Sequence, residues 1–318
     1  MKVLITGAAG FIGFNFSNFL LKKTNIKVIG IDNLNNYYDV SLKKKRLSIL
    51  KKNKNFQFYK LDLTNTIKIQ NIFKKNNFHF VFNFAAQAGV RHSINHPRKY
   101  IDANILGFFN IIENCNKFKV KRLFYASSSS VYGENVNFPL NESEKIFPKN
   151  IYGLTKKINE EISFIYNKFY KLKTTGLRFF TVYGEWGRPD MMMVKFIDSF
   201  FKKRIFKLHN FGKHSRDFTY IDDVVKIMFK LMQNNKKLKD NDVLNICSNK
   251  PISLNEIINF LKKNKINPRI KKVALQKADI IKTHGNNAKL LKYIKYNRFA
   301  SWKESIIKVI DWYKINMI

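Results

Sequence analysis

Acidic residues are scarce in this chain of 318 residues, which carries 22 Asp and Glu against 59 Lys and Arg, a formal net charge of +37. Such an imbalance raises nucleic acid, a membrane surface or an acidic small molecule as partners. Only ten of the basic residues are Arg, however, and the lysines fall in short runs, such as Lys43-Lys44-Lys45 and Lys271-Lys272, spread over many expected helix faces. No nucleic-acid-binding motif accompanies them. An A/T-rich coding bias, visible also in abundant Asn, Ile and Phe, explains the lysines more simply, so no nucleic-acid partner is expected. The positive field still favours collecting an anionic ligand.

Cysteine is nearly absent. Cys115 and Cys247 lie far apart and form neither a disulfide framework nor a metal-ligand spacing, which fits a reducing cytoplasm. The six histidines are scattered, with no His-x-x-His and no Cys-x-x-Cys, so no metal is expected. No run of 18 apolar residues occurs, which excludes a conventional transmembrane helix and any expected membrane partner. The opening Met1-Lys-Val-Leu-Ile5 is interrupted at once by glycines and then Asn15, so it reads as a strand and not as a signal peptide.

What is present is an alternation of short β-branched or aromatic runs with longer amphipathic segments, the pattern of βαβ units. Strands are expected near 2–6, 27–31, 56–60, 79–84, 122–127 and 173–179, with helices between them. The helices near 98–117 and 151–171 carry apolar residues at helical spacing, among them Ile158, Ile162, Ile165 and Phe169. Burial against the sheet is the default for that stripe, and pairing with a second subunit is the alternative. The fold class is therefore α/β, a doubly wound parallel (Rossmann) sheet over residues 1–180. A smaller, irregular C-terminal substrate lobe over 181–318 is expected to interleave with it through a returning strand near 243–246.

Gly7, Gly10 and Gly13 stand between the first strand and the first helix, with Phe11 and Ile12 in the same turn. There the backbone can approach a pyrophosphate, and the helix N-terminus favours anions. Asp32 ends the second strand, where its carboxylate accepts hydrogen bonds from both ribose hydroxyls of NAD and repels a 2′-phosphate. Asn33 follows it. Asp62 and Leu63 after the third strand, and Ala85 and Ala86 after the fourth, reach the same edge and complete an NAD site.

Residues 125–133, Tyr-Ala-Ser-Ser-Ser-Ser-Val-Tyr-Gly, place a hydroxyl row ahead of Tyr152-Gly-Leu-Thr-Lys156. A tyrosine near its ordinary pKa of about 10 is a poor base at neutral pH, and roughly 4 kcal/mol must be found to lower it by about three units. On a helix Lys156 lies one turn from Tyr152 on the same face, so its ammonium can supply part of that stabilisation. A bound nicotinamide cation adds more.

Taken in order, Gly7-x-x-Gly10-x-x-Gly13, Asp32, Ser128 and Tyr152-x-x-x-Lys156 resemble the extended short-chain dehydrogenase/reductase family. Within it the chain is most similar to UDP-glucuronate 4-epimerases, through Asp32-Asn-Leu-Asn-Asn-Tyr-Tyr-Asp39, Ala85-Ala-Gln-Ala-Gly-Val-Arg91, Gly176-Leu-Arg-Phe-Phe-Thr-Val-Tyr-Gly184, Trp186-Gly-Arg-Pro-Asp190 and Arg216-Asp-Phe-Thr-Tyr-Ile-Asp-Asp223. The resemblance implies a retained NAD, a UDP-sugar substrate, a homodimer and inversion at C4 through a 4-keto sugar. It makes Tyr152 the general base, Lys156 its pKa-lowering partner and ribose ligand, and Ser128 the hydroxyl on the sugar 4-oxygen. Asn104 becomes a cofactor-side residue, Arg216 a diphosphate ligand and Asp279 a ribose ligand. Arg91 belongs to the substrate motif, and its other role is to anchor a loop. The chain departs from the pattern at His209, where relatives stack Phe or Tyr on uracil, and at Gln276-Lys-Ala-Asp279 in place of Gln-Pro-Gly-Asp.

Related dehydratases and decarboxylases carry acidic residues just after the position of Ser128, whereas Ser129 and Ser130 are neutral hydrogen-bond donors suited to a substrate carboxylate. Thr181 is placed to complete that pocket, and Arg188 either pairs with the carboxylate or holds its own loop. Two other readings remain at this point: an epimerase of neutral UDP-hexoses or N-acetylhexosamines, and a non-catalytic NAD-binding protein that docks on polyanions.

Overall fold

The computed structural model describes residues 1–275, 280–296 and 298–318. The alternating apolar runs become β1 (Lys2–Thr6), β2 (Lys27–Asp32), β3 (Phe56–Lys60), β4 (Phe80–Asn83), β5 (Arg122–Ser128) and β6 (Thr174–Phe179). Six further strands follow: β7 (Thr181–Tyr183), β8 (Phe206–His209), β9 (Ser215–Tyr220), β10 (Asn241–Ile246), β11 (Pro251–Ser253) and β12 (Ile270–Val273). Seven of them form a parallel sheet in the order β10-β6-β5-β4-β1-β2-β3. The order reverses between β1 and β4, so the crossovers leave in opposite directions there and open a crevice at the carboxyl ends of the strands. Strands β7, β9 and β11 make a three-stranded sheet, and β8 pairs with β12.

Val3, Leu4 and Ile5 of β1 have no exposed surface, as a central parallel strand covered on both faces requires. One face packs on helix α1 (Phe11–Lys23) through Phe14, Phe16 and Leu20, near α2 (Val40–Lys51). The other packs on α3 (Thr66–Lys75) through Ile69, Ile72 and Phe73. Then come α4 (Val90–Asn95), α5 (Pro97–Tyr100), a π-helical turn over Ile101–Leu106, α6 (Gly107–Lys117) and α7 (Ile151–Tyr170). No described helix is long and apolar enough to cross a membrane.

The expected apolar stripe of α7 divides: Ile162 packs against the core on that side of the sheet, but Ile165 and Phe169 do not. The face turned inward carries Thr155, Lys156, Asn159, Glu160 and Ser163, while Ile165 is 46% exposed and Phe169 65% exposed. The reason is a buried charge network. Arg178 on β6 grips Glu160 with Nε to Oε1 at 2.9 Å and Nη2 to Oε2 at 2.7 Å, and the Ser127 hydroxyl donates to the same Oε1 at 2.5 Å. A third bond from Arg178 reaches the Tyr132 hydroxyl at 2.9 Å, which in turn donates to Asn245 on β10. A buried carboxylate must be paired, so this pairing rotates the polar face of α7 inward and the apolar face out. The preceding segment also leaves apolar residues outside, although the inward face of α6 is itself apolar. Phe108, Ile111 and Ile112 are buried, but Ile101, Leu106 and Phe109 are exposed.

Candidate active site

A cavity of about 460 Å³ lies over the switch point between β1 and β4. One end is built by the turn between β1 and α1. A Cβ placed on Gly13 would lie 2.2 Å from the Gly7 carbonyl, and Gly7 itself holds a left-handed φ of +67°, so only glycine lets the chain fold this tightly and leave a cradle above it. The first-turn residues Phe11 and Ile12 of α1 line that cradle with Gly7, Gly10 and Gly13, which presents a helix N-terminus to an anion. Asp32 closes the far side, its Oδ2 accepting from the Ala9 N–H at 3.1 Å and its Oδ1 from the Leu34 N–H at 2.8 Å. Burial pushes its carboxyl up, against Lys43, these two N–H groups and Arg46. Asn33, Asp62, Leu63, Ala85 and Ala86 line the same end, and the Asn33 amide donates to Asp62 at 2.6 Å. A tight glycine cradle beside a ribose-accepting carboxylate fits a dinucleotide.

At the other end β5 delivers Ser128, Ser129 and Ser130. The Ser128 hydroxyl oxygen accepts from the Ser130 N–H at 3.1 Å and caps the short 3₁₀ turn that follows. Helix α7 begins against this turn. Asn150 caps it by accepting from the Gly153 N–H at 2.9 Å, and a Cβ on Gly153 would meet the Ser130 carbonyl at 2.7 Å. That approach places Tyr152 and Lys156 on the cavity wall. Thr181 of β7, Arg188 and Arg216 complete the lining.

Burial pushes the Tyr152 phenol up, while a hydrogen bond with the Ser128 hydroxyl and the charge of Arg188 pull it down. The sequence assigned the lowering to Lys156, whose Nζ stands 5.9 Å from the Tyr152 ring centroid. Burial draws the Lys156 ammonium itself down to about 8. Arg188 forms a two-point pair with Asp190, Nε to Oδ1 and Nη2 to Oδ2 both at 2.9 Å. The Tyr37 hydroxyl also donates to Asp190, at 3.0 Å. The attraction of Asp190 outweighs burial and holds the guanidinium firmly charged.

Several expected residues stand elsewhere. Asn104 is buried in the π-helical turn and braces the site from behind, accepting from the Gln87 N–H at 2.7 Å and donating to the Thr155 hydroxyl at 3.0 Å. Arg91 on α4 and His209 at the end of β8 are not among the residues that line the cavity. Arg216 reaches the lining, and its guanidinium donates to the carbonyls of Ile280 and Ile281. Asp279 lies outside the described residues. Tyr37, Lys43 and Gln87 line the cavity without having been singled out. For Tyr37 the motif around Asp32 was the available signal, whereas Lys43 lay hidden in a lysine run and Gln87 beside two alanines.

Residues 3–247 match the model of the NAD dependent epimerase/dehydratase family. The chain belongs to this family. Among relatives of this NAD-dependent epimerase, the UDP-glucuronate 4-epimerase of Thermodesulfobacterium geofontis is 38% identical over 318 residues, covering 99% of this chain and 96% of that one. Protein CapI of Staphylococcus aureus is 41% identical over 331 residues, covering 98% of each. Among solved structures, the UDP-glucuronic acid 4-epimerase of Bacillus cereus in complex with UDP-glucuronic acid and NAD aligns with a TM-score of 0.92. Its sequence is 29% identical, and the match covers 99% of both chains.

The depressed Lys156 ammonium has a thermodynamic consequence. Its folded-state pKa of about 8 lies below the ordinary 10.5, so the unfolded chain binds the proton more tightly between those values. Stability therefore rises with pH across that window, and a charged Lys156 costs the fold up to about 3 kcal/mol below it. Lys156→Met is expected to melt higher than the nucleotide-free parent at pH 7, with the difference narrowing as pH rises past 8. Calorimetry across that range checks this, and a difference independent of pH would contradict it.

Proposed function

We propose that this protein interconverts UDP-glucuronate and UDP-galacturonate by NAD-dependent inversion at C4. The observation that carries the reading is the composition of the cavity wall. Tyr152 and Ser128 stand where its two ends meet, and the sugar end offers Ser129, Ser130, Thr181 and the cationic Arg188. Among the described residues the carboxylates lining the cavity are Asp32 and Asp62, both at the dinucleotide end. A sugar carboxylate therefore meets hydroxyl donors and Arg188, whose guanidinium it must share with Asp190. Relatives named UDP-glucuronate 4-epimerase support the same substrate.

The chain's own groups divide the work. The glycine cradle and Asp32 hold the dinucleotide, and Lys156 is placed for its nicotinamide-side ribose. Bound NAD supplies the hydride acceptor and donor that take C4 through a ketone and back with opposite configuration. Ser128 holds O4 of the sugar by a hydrogen bond, and the Tyr152 phenolate accepts the O4 proton and later restores it. The 4-keto uronate is a β-keto acid, prone to lose carbon dioxide. Neutral hydroxyls at Ser129, Ser130 and Thr181 hold its carboxylate without presenting an acid to the neighbouring carbon.

A homodimer belongs to the same proposal. Leu154, Phe164, Ile165 and Phe169 on α7 and Ile101, Leu106 and Phe109 before and within α6 are exposed. Phe109 meets Tyr166 edge-on at 6.0 Å, so the two helices share one outward face. A continuous apolar face of this kind suits a self-complementary two-fold interface.

With UDP-glucuronate and UDP-glucose supplied separately, proton NMR is expected to show C4 inversion of the uronate. Tyr152→Phe should cut turnover by about a thousandfold while NAD remains bound. Inversion of the neutral sugar alone, or undiminished turnover in the variant, would overturn the assignment. Sedimentation of the parent should give a dimer that Phe169→Asp shifts toward monomer, and a monomeric parent would remove the interface.

A further inference from the structure

Arg46, like Arg122, is a large side chain with no exposed surface, and the structure gives it an unusual set of partners. Its Nη1 donates to the Ala9 carbonyl at 2.8 Å and to the Tyr38 hydroxyl at 2.7 Å. Its Nη2 donates to the carbonyl of Trp186 and, at 3.4 Å, to that of Gly187. Among the described residues no carboxylate forms an ion pair with it, and its Nε is buried without a hydrogen-bond partner. A buried cation held by neutral carbonyls, with one donor idle, is a poor stabilising device. Its position in the fold is more informative than its energy.

Ala9 belongs to the glycine turn, and its N–H already donates to Asp32. The residue is thus held on both sides, by Asp32 through its N–H and by Arg46 through its C=O. Trp186 and Gly187 belong to the loop that presents Arg188 to the sugar end of the cavity. Trp186 holds a left-handed φ of +62°, a conformation that a bulky residue keeps only where the surroundings impose it. The indole packs edge-on against Phe14 of α1 at 5.3 Å, and the Asn15 amide donates to the Glu185 carbonyl at 3.4 Å. The contacts of Arg46, the Trp186–Phe14 pair and the Asn15–Glu185 bond join the cofactor turn and its helix to the substrate loop.

We propose that Arg46 is a positioning residue that ties the dinucleotide-binding turn to the Arg188 loop, so that occupancy of the first fixes the shape of the second. The inference rests on the reading of the cavity as an NAD and UDP-uronate site, and it adds a coupling between its two halves. Such coupling suits a reaction in which the dinucleotide stays while sugar nucleotides come and go, because the sugar end is then shaped only in loaded protein.

The test uses Arg46→Lys and the milder Tyr38→Phe, which deletes one partner of the guanidinium and leaves the buried charge in place. Hydrogen exchange over residues 184–190 is followed in the full chain with and without saturating NAD. NAD affinity is measured by calorimetry on nucleotide-stripped protein. In the parent, NAD is expected to slow exchange in that loop. In Arg46→Lys the protection should largely vanish and NAD should bind about tenfold more weakly, with Tyr38→Phe moving both readouts the same way by less. If Arg46→Lys does not fold, Tyr38→Phe alone decides. Equal NAD-dependent protection in parent and folded variants would overturn the proposal. Neither readout requires sugar turnover, so failure of the uronate assignment leaves this test intact, whereas a parent that binds no NAD removes the cofactor reading itself.

Discussion

The buried pair between Arg178 and Glu160 organises the catalytic end of this molecule. It joins β6 to α7, and through the Ser127 hydroxyl it fixes the end of β5 immediately before Ser128. Replacing such a pair by apolar residues often leaves stability unchanged, so its value lies in what it orients. With Glu160 turned inward, Lys156 one turn earlier on α7 faces the cavity, and Tyr152 one turn before that meets the serine row. The apolar residues of α7 are then left on the outside, where a second copy of the chain can cover them. One electrostatic constraint thus accounts for both the placement of Tyr152 and the exposed face.

The electrostatics of the base follow from the same burial. Desolvation disfavours the Tyr152 phenolate and the Lys156 ammonium alike, so the phenol does not become a base merely by lying near Lys156. Ser128 and Arg188 offset part of the cost for Tyr152. Arg188 is itself neutralised by Asp190, which limits its help until a competing carboxylate enters. On the proposed mechanism, a bound nicotinamide cation would supply further stabilisation. A base that is weak in empty protein and strong in loaded protein suits a cofactor retained through the cycle.

Most of the parallel sheet was legible in the sequence, because fully buried strands such as Val3-Leu4-Ile5 read as unbroken apolar runs whose ends are set by glycine or polar residues. The cofactor turn was legible for a different reason: Gly7, Gly10 and Gly13 meet steric demands that no other residue satisfies. The orientation of α7 was not. Its periodicity shows an apolar face at Ile165 and Phe169, but periodicity cannot reveal that Arg178, eighteen residues beyond Glu160, draws the opposite face inward. Nor could Arg46 stand out, since it ends a run of three lysines and acts through backbone carbonyls at Ala9 and Trp186. Side chains that recognise other side chains leave motifs; those that recognise backbone do not.

The central claim is that a buried phenol becomes a working base only when the cavity is loaded, and titration of Tyr152 tests it most directly. Chain labelled with carbon-13 at the tyrosine ring Cζ would be followed by NMR against pH, with Tyr152→Phe identifying the signal. In nucleotide-free protein the signal should stay protonated past its ordinary value of 10.0. With NAD bound it should titrate well below its nucleotide-free value. A Tyr152 that remains protonated above pH 9 in the loaded protein would contradict the account.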